Sequence, residues 1–232
     1  MMTLFGYWRS SASWRVRIGL ALKGVTVAHS PVDLRGGAHR DAAHRERNSM
    51  AQVPVLEWES GGETHRLSQS LAILSYIDAL YPDPPLLPSD PLKRARVLEL
   101  SEIINSGIHP LQNLSTQKRV AGISETSGPV WARLWIEEGM TSLEAKAQLE
   151  PGPFLVGDSP TLADCCLIPQ LYNARRFDCE VSAWPRLLAT EQACLDLPSF
   201  FYTHPDRHTA PGQDVGTNGA PNVSDISRHH SA

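Results

Sequence analysis

The sequence predicts a small α/β domain joined to an all-α one. Three observations carry this: a strand–helix–strand run followed by a hairpin and a helix, a proline-dense stretch after residue 81, and helical periodicity alone beyond it. Thr3–Tyr7 and Val25–Asp33 are short apolar or β-branched runs. Between them, Ser11 to Lys23 places Trp14, Ile18, Leu22 and Val25 at helical spacing and stops at Lys23-Gly24, a helix C-terminal signal. Strand, helix and strand in this order make the unit that builds parallel sheets. Val53–Trp58, the turn Ser60-Gly61-Gly62 and Glu63–Leu67 predict a β-hairpin. Ser68-Gln69-Ser70 then offers a cap for a helix through Tyr81, with Leu71, Leu74, Ile77 and Leu80/Tyr81 on one face.

Tyr81 to Pro91 is too rich in proline to continue that helix. From Leu92 to about Thr203 every periodic segment reads as helix: Lys93–Ile104, a stretch beyond Pro110, Val130–Gln148, Leu162–Arg176 and Pro185–Leu195. The expected division is 1–82, a linker 83–91, a helical domain 92–205 and a tail 206–232. The tail has no Phe, Trp or Tyr and is rich in Gly, Asn, Ser and His, so it is expected to be disordered. There is no internal repeat.

The 232 residues are 41% apolar and 20% charged, enough apolar material for real cores without covalent staples. A formal net charge of −4 argues against nucleic acid or an anionic membrane as the main partner. No apolar run is long enough to span a bilayer, and the first residues lack a basic segment followed by an apolar one. Cys165, Cys166, Cys179 and Cys194 form no Cys-x-x-Cys pair and have no His at zinc spacing. A cytoplasmic, reduced protein without a structural metal is expected.

The stretch Tyr7-Trp8-Arg9-Ser10-Ser11-Ala12-Ser13-Trp14-Arg15-Val16-Arg17 carries the most chemical information. Ser10 and Ser11 are good helix caps, which is one sufficient explanation for them. The same geometry serves a second purpose. A helix start after a strand presents free N–H groups and partial positive charge, and a hydroxyl there can donate to a thiolate and depress its pKa from about 8.5. No cysteine lies nearby, so the thiol must come from a ligand.

Arg-Ser-Ser-x-x-x-Arg-Val-Arg-Ile-x-Leu-x-Leu-Lys-Gly, from Arg9 to Gly24, resembles the signature of the zeta-class glutathione transferases, a family that includes maleylacetoacetate isomerases. The likeness runs from about Leu4 to Pro205, with further matches at Gln52-Val53-Pro54, Gln69-Ser70, Pro110–Ser115 and Asn173–Phe177. It implies the glutathione transferase fold, a thioredoxin-like N-terminal domain followed by an all-α domain, with a cis Val53–Pro54 bond. Eukaryotic members read Ser-Ser-Cys where this chain has Ala12, so any role of that cysteine is absent.

The resemblance implies glutathione as the cofactor and a role for each matching residue. Ser10 would donate to the thiolate, with Ser11, Ala12, Ser13, Trp14 and Arg15 around the sulfur. Gln52, Val53 and Pro54 would lie along the cysteinyl unit. Gln69 and Ser70 would hold the γ-glutamyl carboxylate, with their capping role as the plain alternative. His39 and His109 fall where relatives often place glutamines that touch glutathione, and Asn113, Leu114 and Ser115 match a stretch that closes over the site. Arg9 and Arg176 are the candidates for binding a dicarboxylate substrate, since planar guanidinium forks suit carboxylates.

The expected activity is cis–trans isomerisation of maleylacetoacetate, in phenylalanine and tyrosine breakdown, by a homodimer. Maleylpyruvate isomerisation is an alternative, but those relatives carry arginines at the positions of Leu114 and Ser115. A general transferase or α-haloacid dehalogenase, or a non-enzymatic glutathione-binding module, are further alternatives. Thr161-Leu-Ala-Asp164, with capping-box spacing, is read as structural, and Cys165 and Cys166 as core.

Overall fold

The computed structural model describes residues 1–208. Four strands form one mixed sheet in the order β2-β1-β3-β4: β1 (Met2–Gly6), β2 (Ala28–Pro31), β3 (Val55–Ser60) and β4 (Glu63–Ser68). β1 pairs parallel with β2 and antiparallel with β3, placing Leu4 opposite His29 on one side and Leu56 on the other. The β3–β4 hairpin turns at Gly61 and Gly62, both at positive φ, a backbone that glycine adopts without penalty.

β2 is shorter than the Val25–Asp33 run suggests. The Val25 N–H turns back to the Leu20 carbonyl at 2.9 Å, so Val25 closes the preceding helix instead of entering the sheet. That helix, α1 (Ser11–Leu22), is buried along most of its length, including Trp14, Val16 and Ile18. It packs against α3 (Ser70–Leu80) so closely that a Cβ on Gly19 would overlap Leu74 Cδ2. A short helix, α2 (Ala42–Arg47), lies between β2 and β3. Val53–Pro54 is cis, as the resemblance implies, and so is Asp83–Pro84.

Beyond Pro91 the described elements are helical: α4 (Pro91–Glu102), α5 (His109–Gln112), α6 (Leu114–Ile123), α7 (Gly128–Ala147), α8 (Leu162–Arg176), α9 (Pro185–Leu195) and α10 (Pro198–Tyr202). The α8 and α9 boundaries coincide with those expected. A π-helical turn, Ile103–Ile108, separates α4 from α5 where the sequence suggested a helix continuing to Ile104. At α8, Thr161 and Asp164 form the expected capping box, and Asp164 Oδ1 also accepts from the Leu155 N–H at 2.9 Å. Cys165 and Cys166 are fully buried.

α1 packs directly on α8, and the core is continuous from the sheet into the helices. The chain after α10 returns to α1: Thr203 Oγ1 accepts from Trp14 Nε1 at 3.2 Å, and His204 meets the Trp14 ring edge-on. Of the tail expected over 206–232, Asp206 and Arg207 lie in a short 3-10 turn, Pro205–Arg207. Residues 209–232 of that expectation lie outside the described residues. No described helix is long and apolar enough to cross a membrane.

Candidate active site

β1 ends by delivering the loop Tyr7–Ser10 to the start of α1. The Ser10 N–H donates to the Tyr7 carbonyl at 3.0 Å, and Ser10 takes the N-cap position, its Oγ accepting from the Ser13 N–H at 3.2 Å. The capping role is thus real. It also leaves the N–H groups of Ser11 and Ala12 without an acceptor inside the helix, next to the half-buried Ser10 hydroxyl. An anion set there meets two backbone donors, one hydroxyl and the positive end of a twelve-residue helix.

Ser11 is nearly buried, and Ser13 and Trp14 have essentially no exposed surface. Ser13 Oγ accepts from the Tyr7 N–H at 3.4 Å, and Trp14 is engaged with Thr203. Ser13 and Trp14 therefore brace the loop from beneath. Arg15 is 1% exposed and points away from the loop, NH1 donating to Asn105 Oδ1 at 2.8 Å and Ser70 Oγ at 3.4 Å.

A second ridge of the site comes from the strand side. Gln52 is exposed, with its carbonyl held by His44 Nε2 and Asn48 Nδ2, both at 2.9 Å. Val53, half-buried, and buried Pro54 then lead into β3. Gln69 stands exposed ahead of α3 at φ 72°, a left-handed conformation that a residue with a side chain seldom adopts and that marks functional loops. No side chain caps α3, contrary to the expectation for Ser68-Gln69-Ser70. The Ser70 hydroxyl instead receives Arg15, because Ser70 is already the first helical residue and faces inward.

His39 sits half-buried in the turn Ala38–Arg40 with Nδ1 unpartnered, and burial lowers its pKa. His109 opens α5. Its Nδ1 is buried without a partner, and burial, then the Arg15 charge, holds its pKa down to about 3. Asn113 is the N-cap of α6, its Oδ1 accepting from the Ser115 N–H at 3.4 Å, while Leu114 and Ser115 are exposed.

Arg9 lies over the Trp8 ring, 5.2 Å from its centroid. Arg176 ends α8 and donates to Asn173 Oδ1 at 3.1 Å. Partial burial first, and then the Arg9 guanidinium, lower the Arg176 pKa; the side chains of Tyr172, Tyr7 and Arg35 are also within its field. Neither Arg9 nor Arg176 is ion-paired among the described residues. The Glu191 carboxylate is taken by the neighbouring Arg175, through two bonds of 2.6 and 2.5 Å. Tyr172, Arg35 and Asn105 were not anticipated from the sequence. Arg35 had a signal in its place before Gly36-Gly37, whereas Asn105 reaches Arg15 only because of the π-helical turn.

A helix start that presents free donors beside a serine, on a thioredoxin-like sheet with a helical region packed against it, defines a glutathione transferase. The family model described as "Glutathione S-transferase, N-terminal domain" matches residues 1–79. The maleylacetoacetate isomerase of Rhizobium meliloti (strain 1021) is 44% identical over 208 residues, covering 88% of this chain and 96% of that protein. The maleylacetoacetate isomerase of Rattus norvegicus is 44% identical over 206 residues, covering 88% and 92%. A crystal structure of maleylacetoacetate isomerase from Anaeromyxobacter dehalogenans 2CP-1, with GSH bound in its active site, superposes with a TM-score of 0.83 at 46% identity, covering 91% of this chain and 97% of that one. The chain belongs to the maleylacetoacetate isomerase family of the zeta-class glutathione transferases.

Proposed function

We propose that this protein isomerises maleylacetoacetate to fumarylacetoacetate with glutathione as cofactor, in the cytoplasm, in phenylalanine and tyrosine breakdown. The observation that carries the reading is the pair Arg9 and Arg176: Arg9 directly precedes Ser10, the two guanidinium groups lie within each other's field, and no carboxylate pairs with either among the described residues. Two like charges held together in this way suit a substrate that carries two carboxylates. The glutathione fit rests on the unpaired donors at the α1 start and on the Ser70 hydroxyl at the start of α3.

Glutathione, when bound, supplies the thiolate that adds to the cis double bond, leaves a rotatable single bond and departs again. Ser10 Oγ and the N–H groups of Ser11 and Ala12 stabilise the thiolate. Arg9 and Arg176 hold the carboxylates, and their charge favours the enolate formed on addition. Residues 1–82 act as the glutathione-binding domain and 92–205 as the substrate domain. Two such chains form a symmetric homodimer, consistent with the large exposed apolar side chains Met50, Leu92 and Leu98.

The test is turnover of maleylacetoacetate and of maleylpyruvate, each with and without glutathione. Activity on maleylacetoacetate alone, and only with the thiol, is expected. Glutathione-affinity retention without turnover of either acid would replace this reading with the binding-module one. In sedimentation, a mass near 25.5 kDa would refute the dimer. In Ser10→Asn the cap is kept and the hydroxyl lost, so the thiolate absorbance of bound glutathione should appear only at higher pH.

A further inference from the structure

Tyr172 is a half-buried phenol that neither the glutathione contacts nor the pair of arginines accounts for. It lies one helical turn before Arg176 on α8, so the two side chains share a face of that helix. Its ring is fixed from two sides. Trp14 meets it edge-on with 5.6 Å between centroids, and His204 does the same at 5.4 Å. The Trp14 N–H in turn donates to the Ser10 carbonyl at 2.8 Å, which places the phenol one side chain away from the turn that caps α1. Only the hydroxyl proton is left free to swing. Among the described residues its acceptor is Asp206 Oδ1 at 3.4 Å, long for an O–H donor and readily exchanged for a better one.

The charges of Arg176 and Arg9 both reach this phenol, so its hydroxyl lies by the same two cations that suit the substrate's carboxylates. Burial first, and then the Asp206 charge, raise its pKa, which keeps it protonated at neutral pH and able to donate. A neutral donor beside two cations matches a substrate with a carboxylate at each end and uncharged keto groups between them. The planar forks serve the ends. The keto oxygen on which charge develops is left to a third group.

We propose that the Tyr172 hydroxyl donates to the keto oxygen conjugated with the substrate's cis double bond; the assignment rests on the isomerase reading above. As the thiolate electron pair forms the C–S bond, the π pair moves through the carbonyl to make an enolate. The former double bond is then single and turns. Collapse of the enolate returns the pair, breaks the C–S bond and releases the thiolate, with no net gain or loss of a proton. A hydrogen bond to that oxygen is stronger to the enolate than to the ketone, so it lowers the barrier more than it tightens binding.

Tyr172→Phe keeps the ring between Trp14 and His204 and removes only the hydroxyl. Its kcat on maleylacetoacetate should fall by roughly 10–150-fold, the range of one hydrogen bond to a charged group, with KM and melting temperature little changed. Calorimetric binding of S-dicarboxyethyl glutathione, which has the tripeptide and two further carboxylates but no ketone, should be the same in both proteins. An unchanged kcat, a loss confined to KM, or weaker binding of that adduct would overturn the proposal. Should Tyr172→Phe fail to fold, Asp206→Ala keeps the phenol and removes its competing acceptor, so kcat should hold or rise, and a fall would count against Tyr172 as the donor. A wild type that turns over no maleylacetoacetate with glutathione would instead overturn the isomerase reading beneath it.

Discussion

Arg17 NH2 donates to the Trp8 carbonyl at 2.8 Å and leans on the Thr203 carbonyl at 3.5 Å. One buried guanidinium thereby holds the loop that carries Arg9 and Ser10 against the segment that follows α10. Burial lowers its pKa to about 10, so it remains charged at neutral pH. Arg17→Met should leave the Trp8 carbonyl without this donor and cost about 1–3 kcal/mol, roughly 2–12 °C in melting temperature. Because the loop sets Ser10, kcat/KM measured well below the melting transition should also fall, by as much as about a hundredfold for an ångström of misplacement. A lower melting temperature with kcat/KM intact would reduce Arg17 to a structural tie.

The linker is pinned by a buried ion pair. Lys23 Nζ meets Asp78 Oδ1 and the Pro84 carbonyl, each at 2.5 Å, and Asp78 also accepts from the N–H groups of Leu86 and Leu87. Asp78→Ala strands the lysine, whose side chain has no exposure, and should cost roughly 3–5 kcal/mol. Thermal unfolding should show a loss of roughly 6–20 °C. The double variant Lys23→Met with Asp78→Leu should recover much of it, since removing both charges removes the stranded one. A double variant no better than Asp78→Ala would place the stability in the backbone bonds of Asp78 instead.

What the sequence made legible was whatever is written locally. α8 and α9 could be bounded because Thr161 with Asp164 and Pro185 punctuate their starts. The Ser10 cap was visible for the same reason. Arg15 was not, because its meaning lies in Ser70 and Asn105, 55 and 90 residues away in the chain. The π-helical turn that delivers Asn105 adds a residue to the helical repeat, and a search for 3.6-residue periodicity passes over it. β2 was overdrawn because Val25 and Val27 are apolar for the helix closure and the core, not for the sheet.

Acid should loosen the protein through His109. Its imidazole is held to about 3 in the folded chain, by burial first and then by Arg15, whereas an unfolded histidine takes its proton near about 6.5. Between those values the unfolded state binds the proton and the folded state does not. Stability is therefore fully present above about pH 6.5 and declines as the pH falls toward about 3. His208, lowered to about 4 by burial and then by Arg17, works in the same direction. Melting temperatures between about pH 4 and 7 should fall less steeply in His109→Gln than in wild type. Identical slopes would mean that His109 is protonated in the folded chain.

Arg176 separates a substrate role from a structural one. If it clamps a carboxylate, Arg176→Ala should lower kcat/KM for the diacid by about 10–150-fold, the range of one charge-assisted pair. Glutathione affinity should hardly change, since the proposed tripeptide contacts centre on the starts of α1 and α3. Arg176→Lys should rescue only in part, keeping the charge and losing the planar fork. The structure supplies an internal control in the adjacent residue. Arg175 is paired with Glu191 by two bonds, while among the described residues Arg176 has only Asn173. Arg175→Ala should then lower the melting temperature and leave kcat/KM alone, and Arg176→Ala should do the reverse. Removing Arg176 also relieves its repulsion with Arg9, so its melting temperature should hold or rise slightly. A fall in stability at Arg176→Ala with unchanged kcat/KM would take this arginine out of the substrate site and leave Arg9 without a partner for the second carboxylate.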